Sequence, residues 1–410
     1  MGRWTWFTQG WQFFKQPTVW RLCVGRWISD WGDAVHILAF NWLVIQQTGS
    51  AGAAGLCSAV WLVGQLVGGI PGGWLADRYS AWKLLLVSYL LHAAVIGGFT
   101  LLCVLTKPDL TALWTVSLVL GLLGAQIDPA QRSLIKRLFP GDQELARVNS
   151  LMTGGGALTQ VSGPLLAGLL LTVLPVWTAF AANALTFSLA ALTLVGVRAE
   201  RGPQERPASP VSAVQGSLLQ QLRPLRTVLV CTAVFVLGPA PLLVSFLPFY
   251  VQQVQGWSIE VLGFLEAARW GGLGVGILLG SVWLTRITNL QAVALSTLAS
   301  LAFPLLGLVV GGPWPWQVFC LACIGGVAGF SYVCLNQLFL QSVDEQWVGR
   351  VTGALSTVLG AGLLLAWLGW SWTIDQFGYP VALGVALTAH ILVSGVAFAR
   401  VAGSWLNKYL

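Results

Sequence analysis

The chain has 410 residues, of which 56% are hydrophobic and 9% charged, with a mean hydropathy of +0.76. Soluble domains carry about 25% charged residues, so the composition excludes a water-soluble enzyme or binding domain and points to an integral membrane protein. A net charge of +7 would suggest nucleic acid for a soluble chain. Here the cations gather at the ends of apolar spans, which orients a membrane protein instead, and no nucleic-acid partner is expected.

A helix needs roughly 20 apolar residues to cross the hydrocarbon core. Twelve candidate spans fit, near 18–46, 52–75, 83–106, 111–131, 147–172, 176–197, 225–252, 258–284, 289–310, 315–341, 348–372 and 380–402. Their length favours helices over a barrel, since both must satisfy their own backbone in lipid. The expected fold is therefore an all-α membrane protein. Residues 198–224 are the one long polar stretch, rich in Pro, Gly, Ser and charge, and read as a flexible linker. They divide the chain into a bundle over 18–197 and a second over 225–402, with tails at 1–17 and 403–410.

Lys107 falls in an outward loop, and Arg26 and Arg269 lie inside spans. The other Lys and Arg residues, Arg78, Arg132 and Arg147 among them, fall on one side. The positive-inside rule makes that side, with both termini, cytoplasmic. No cleavable signal peptide is visible. The aromatic residues of the first 17, Phe13 and Phe14 among them, read as a tail at the membrane interface.

The first span is the least apolar. Arg26, Asp30, Asp33 and His36 stand three or four apart on one helical stripe. Charge at this depth is costly, so the stripe should face protein or water. It is either a structural ion pair, Arg26 with Asp30, or a protonatable site in which Asp30 or Asp33 exchanges a proton. Next, Gly64, Gly68 and Gly72 form a smooth stripe on the second span, with Gly69 and Gly73 beside it. Small residues at this spacing let helices pack closely in lipid. A charged turn, Asp77-Arg78, follows. His92 in the third span reads as a packed histidine. The fourth ends in Gln126-Ile-Asp128-Pro129-Ala-Gln-Arg132, where Asp128 is positioned to pair with Arg132 or Arg78 at the rim.

The second half repeats the pattern. Gly272, Gly276 and Gly280 echo the first ladder, and Arg350-Val351-Thr352-Gly353 echoes Arg147-Val148-Asn149-Ser150. Pro239, Pro241 and Pro248 break the seventh span. In the eighth, Glu266 and Arg269 stand three apart, as an ion pair or as a gate with a coupling carboxylate. Cys320 and Cys323 have redox-like spacing but lie in an apolar helix, where packing is the expected role. Trp27, Trp61 and Trp270 sit deeper than the other tryptophans, as core or as stacking surfaces.

Several of these stretches resemble the major facilitator superfamily. Gly73, Leu75, Ala76, Asp77 and Arg78 match its loop signature G-x-L-a-D-r-x-G-r-k, although Ser80, Ala81 and Trp82 depart from the second half. Gly163-Pro164-Leu-Leu-Ala167-Gly168 resembles the superfamily's antiporter motif. Gly25-Arg26 through Asp33, Asp128-Pro-Ala, and Phe139-Pro-Gly-Asp-Gln-Glu-Leu-Ala-Arg-Val-Asn149 resemble the branch that holds macrolide efflux pumps and the enterobactin exporter.

The resemblance implies two pseudo-symmetric six-helix bundles, alternating access and a monomer in the bacterial inner membrane. It also implies a loop motif and gate at Gly73, Asp77, Arg78, Asp128 and Arg132. By position alone, Asn41, Gln126, Phe249, Tyr250, Tyr332 and Asn336 would line the substrate cavity. No Walker-type G-x-x-x-x-G-K-[ST] loop occurs, so a gradient, most simply of protons, is the expected energy source. The expected partners are a small-molecule substrate, protons and membrane lipids, with no cofactor and no metal. The expected function is efflux of small amphipathic or hydrophobic compounds of drug, macrolide or siderophore type. The alternative is an importer or a lysophospholipid transporter of the same fold.

Overall fold

The computed structural model describes residues 13–197, 226–287, 290–344 and 347–409. The expected linker at 198–224 lies outside them, as does most of the amino-terminal tail. The described chain is helical throughout. Its helices are α1 (Pro17–Thr48), α2 (Ala51–Arg78), α3 (Ala81–Leu105), α4 (Leu110–Gly124), α5 (Ile127–Leu138), α6 (Asp142–Leu170) and α7 (Trp177–Leu194). There follow α8 (Arg226–Leu237), α9 (Pro239–Val244), α10 (Ile259–Trp283), α11 (Leu290–Ser300), α12 (Ala302–Val310), α13 (Trp314–Ser342), α14 (Val348–Phe377) and α15 (Tyr379–Tyr409). α15 thus continues through residues expected as a tail.

Among the described residues, eight helical stretches are long and apolar enough to cross a membrane: 51–69, 81–105, 110–138, 177–194, 259–283, 314–342, 351–377 and 379–397. The other expected spans take forms that explain why they fall short of that measure. α1 carries the ionisable stripe, and α6 is diluted by Gly154, Gly155, Gly156, Gln160 and Ser162. Residues 226–254 are cut where prolines remove helix donors: α8 ends before Pro239, and a short turn at Leu247–Phe249 leads into a π-helical turn at Tyr250–Val254. Residues 290–310 divide into α11 and α12.

Two compact units divide the chain, Met1–Gln47 with Cys57–Glu205, and Thr48–Leu56 with Arg206–Leu410. In the first, Tyr89 and His92 of α3 pack on Phe187 of α7, and Phe99 and His36 pack on Phe180. α4 starts with a side-chain cap, the Asp109 carboxylate accepting from the Ala112 N–H at 2.8 Å. Phe13 is buried, packed on Phe139 with the Arg147 guanidinium over its ring, and Phe14 stacks on Trp27 at 5.6 Å. Both aromatics of the expected interfacial tail have partner rings on protein, one just after α5 and one on α1.

In the second unit, α10 and α13 lie side by side, and α11, α8 and α9 pack on α15. The first turn of α2 belongs to this unit, and Asp375 of α14 caps it. One carboxylate oxygen accepts from the Ala51 N–H at 3.1 Å, the other from the Gly52 N–H at 3.0 Å and the Ser50 hydroxyl at 3.2 Å. Those amides have no partner within their own helix. Losing a capping carboxylate costs about 1 kcal/mol. Asp375→Ala is therefore expected to speed amide hydrogen exchange at Ala51 and Gly52 several-fold and leave the rest of α2 unchanged, as read by mass spectrometry.

Candidate functional site

The charged stripe of α1 is an organised polar cluster in the first unit. The Arg26 guanidinium donates from Nε to Asp30 Oδ1 at 2.7 Å. Its Nη1 donates to Asp128 Oδ1 at 2.7 Å and to Gln131 Oε1 at 2.6 Å. The two acceptors from α5 arrive because the helix breaks after Gly124 and restarts at Ile127, with Pro129 in the first turn, where its missing N–H costs nothing. Asp128 is thus paired with Arg26, a partner the sequence reading did not name, while the Arg78 side chain lies outside the described residues. Arg132 is exposed and hydrated, whereas the half-buried Arg26 has less water and a donor fork that reaches several acceptors.

Three glycines bring α6 and α7 onto α1. A Cβ at Gly163 would lie 2.6 Å from that of Ala34, Gly155 lies against the Trp27 indole, and Gly32 faces Asn183 and Thr186. The Gly163-Pro164-Gly168 motif is thus a buried packing face of α6, with Pro164 inside the helix. Asp33 has a different partner from Asp30: the Asn183 amide donates to its Oδ1 at 3.1 Å. His36 stacks on Phe40, and His92 bonds the Ser88 carbonyl through Nδ1 at 2.8 Å, as a packed histidine does. Asn41 and Gln126 are half-buried.

In the second unit, the Arg269 Nη2 donates to Glu266 Oε2 at 2.5 Å, and its guanidinium carbon lies 4.6 Å from the centre of the Trp270 ring. Both side chains are largely buried, at 14% and 12% exposure. Trp270 is thereby a partner of Arg269, as Trp27 is of Phe14. The Tyr250 hydroxyl accepts from Gln317 at 2.6 Å and from Gln255 at 2.9 Å, while its ring packs on Tyr379. Tyr250 is buried, Phe249 is half-buried, Asn336 is exposed and Tyr332 is 61% exposed.

The glycine ladders have neighbours of their own. A Cβ at Gly64 would come within 2.5 Å of the Leu118 carbonyl, and one at Gly68 within 2.6 Å of the Leu122 carbonyl; Gly121 of α4 meets the Trp61 carbonyl in return. Gly69, on the second expected stripe, meets nothing within 4 Å. In the other unit Gly272 and Gly276 lie against the Ala322 and Gly326 carbonyls of α13. Both ladders are helix-packing surfaces. Of the loop motif, the side chains of Asp77 and Arg78 lie outside the described residues, as does Gly73 beyond its place in α2. Trp82, where the signature carries a basic residue, donates its indole N–H to the Leu194 carbonyl at 2.9 Å.

Sequence reasoning missed Gln131, Asn183, Thr186 and Gln317. Asn183 carried a usable signal, being the one amide side chain in an otherwise apolar helix.

Several long apolar helices, with a charged stripe paired to neighbouring protein, are the make-up of a multi-pass membrane protein. The chain belongs to the Major Facilitator Superfamily, whose pattern matches residues 22–367. It is 28% identical over 357 residues to the multidrug efflux pump Tap of Mycobacterium tuberculosis, covering 82% of this chain and 83% of that one. It is 27% identical over 350 residues to the enterobactin exporter EntS of Shigella dysenteriae, covering 83% and 80%. Among solved structures it resembles a bacterial homologue of the iron transporter ferroportin in an inward-facing state, with TM-score 0.71, 14% identity and coverage of 93% and 98%. It also resembles the nucleoside transporter NupG, with TM-score 0.71, 12% identity and the same coverage. At such identities these structural likenesses speak to the fold alone.

Proposed function

We propose that the chain is a twelve-span secondary transporter of two six-helix halves, in a bacterial inner membrane with both termini cytoplasmic. It exports small amphipathic or hydrophobic compounds by alternating access, driven by protons. The observation that carries the coupling is the contrast between two carboxylates one turn apart. Asp30 is held by the Arg26 guanidinium, which stabilises its charged form, whereas Asp33 receives a hydrogen bond from a neutral amide. A coupling group must change charge within each cycle, and a carboxylate without a bound cation does so more readily. Asp33 is therefore the coupling residue and Arg26–Asp30–Asp128 a structural node beside it. The paired Glu266 and Arg269 take the structural role in the second unit. The outward direction draws support from the efflux pump and the exporter among the relatives.

The test is uptake of an amphipathic fluorescent dye into proteoliposomes under an imposed pH gradient. Asp33→Asn is expected to cut gradient-driven flux at least tenfold, about the effect of losing one interaction worth 1.4 kcal/mol in the rate-limiting barrier. Transport by Asp33→Asn at the normal rate, still requiring the gradient, would remove Asp33 from the mechanism. Uptake in the opposite sense to the gradient-driven export would favour the importer.

A further inference from the structure

The polar side chains around Asp33 form a chain of fixed direction. Asn183 is fully buried, and its amide donates to Asp33 Oδ1 at 3.1 Å. On its far side, the single proton of the Thr186 hydroxyl is shared between the Asn183 main-chain carbonyl at 2.7 Å and Asn183 Oδ1 at 3.0 Å. An amide has a donor end and an acceptor end of nearly equal shape. An ionised carboxylate can only accept and so draws the N–H end, while a donor on the far side holds the oxygen end. Thr186 is the partner on that side: its hydroxyl, sharing its proton with the main-chain carbonyl, offers the amide oxygen a donor and leaves the N–H end for Asp33. Gly32, the residue before Asp33, makes the approach possible, since a Cβ there would collide with both Asn183 and Thr186.

We infer that Asn183 and Thr186 are positioning residues for the coupling carboxylate, with Asn183 holding Asp33 in its charged state and Thr186 fixing the amide for that task. The inference rests on Asp33 being the coupling residue. A hydrogen bond to the charged form of an acid favours that form. In this chain the donor is neutral, so it favours release of the proton without holding the anion as a cation would. Among the described residues, the charged and titratable groups that face Asp33 are Arg26 and Asp30 on α1 and Tyr89 on α3; His36, one turn further along α1, faces His92 of α3, and α7 presents the amide and hydroxyls described. None of these is changed by substitution at Asn183 or Thr186.

The experiment measures gradient-driven dye transport against pH for the wild type, Asn183→Leu, Thr186→Val, Thr186→Ser and Asp33→Asn. Removing the donor favours the protonated acid. Freeing the amide to turn its oxygen to Asp33 does the same, since a protonated carboxyl can donate to it. Both Asn183→Leu and Thr186→Val are expected to move the midpoint of the pH profile to the alkaline side, by about one pH unit. Thr186→Ser keeps the hydroxyl and is expected to retain the wild-type profile. A merely structural role would lower the amount of folded protein or the maximal rate without moving the midpoint. An unmoved midpoint in either Asn183→Leu or Thr186→Val, each recovered as a monodisperse protein, overturns the inference. Because Thr186→Val is nearly isosteric, it carries the test if Asn183→Leu does not fold. Gradient-coupled transport in Asp33→Asn instead defeats the reading on which the inference rests, so the two failures are distinct.

Discussion

Gly276→Ala is expected to lower the melting temperature of the purified protein by several degrees, while Gly274→Ala, two residues away on the same helix, leaves it unchanged. A Cβ at Gly276 meets the Gly326 carbonyl and lies 2.9 Å from the Phe330 N–H nitrogen, whereas one at Gly274 meets nothing within 4 Å. The obstruction is backbone on a neighbouring helix, which cannot turn aside as a side chain would. Gly325 and Gly329 of α13 approach the Arg269 and Leu273 carbonyls just as closely, so α10 and α13 are locked from both sides. Inserting a group into such a contact costs about 1–3 kcal/mol. Without water in the hydrocarbon core, close packing is the main attraction between helices, and a lost approach has little to replace it. Thermal unfolding followed by size-exclusion recovery reads the difference, and equal melting temperatures for the two variants would sink the close-packing account.

Arg26→Leu is expected to be the most disruptive single substitution in the first unit. It strands Asp30, 17% exposed, and the nearly buried Gln131, and it cuts α5 from α1. Removing one partner of a buried ion pair costs about 3–5 kcal/mol. Asp128 is 60% exposed, and its share is small because water replaces the lost cation, so about 3 kcal/mol is expected in all. Arg26→Lys should recover only part of this, since one ammonium cannot match the guanidinium fork over Asp30, Asp128 and Gln131. The double variant Arg26→Leu with Asp30→Asn should be more stable than Arg26→Leu alone, because it removes the stranded charge. Melting temperatures of the purified variants check the order.

The charged stripe and the glycine ladders were legible in the sequence because lipid makes both costly. A charge at membrane depth or a run of glycines in a helix persists only with a partner close by. For the same reason the pairs Arg26–Asp30 and Glu266–Arg269 could be anticipated from spacing on one helix. Partners on other helices were not legible. Asp128 had equally good local candidates in Arg132 and Arg78, and only the placement of α5 beside α1 gave it to Arg26. Likewise the hydroxyl of Tyr250 is held by Gln317 on α13 and by Gln255, partners that its position in a broken span could not show.

What the sequence by itself determined was the class: apolar runs as long as a bilayer is thick, interrupted by a few charges at helical spacing, have no other stable form than membrane-crossing helices. What only the tertiary structure decided was the division of labour among like residues. Asp30 and Asp33 are one turn apart and chemically identical, and the sequence leaves either open as a proton carrier. Arg26 turns its guanidinium to Asp30, while α7, admitted by Gly32, brings a neutral amide to Asp33. The difference arises from which helices meet, because a short-range hydrogen bond depends on distances of an ångström that no pattern along one strand of chain can specify.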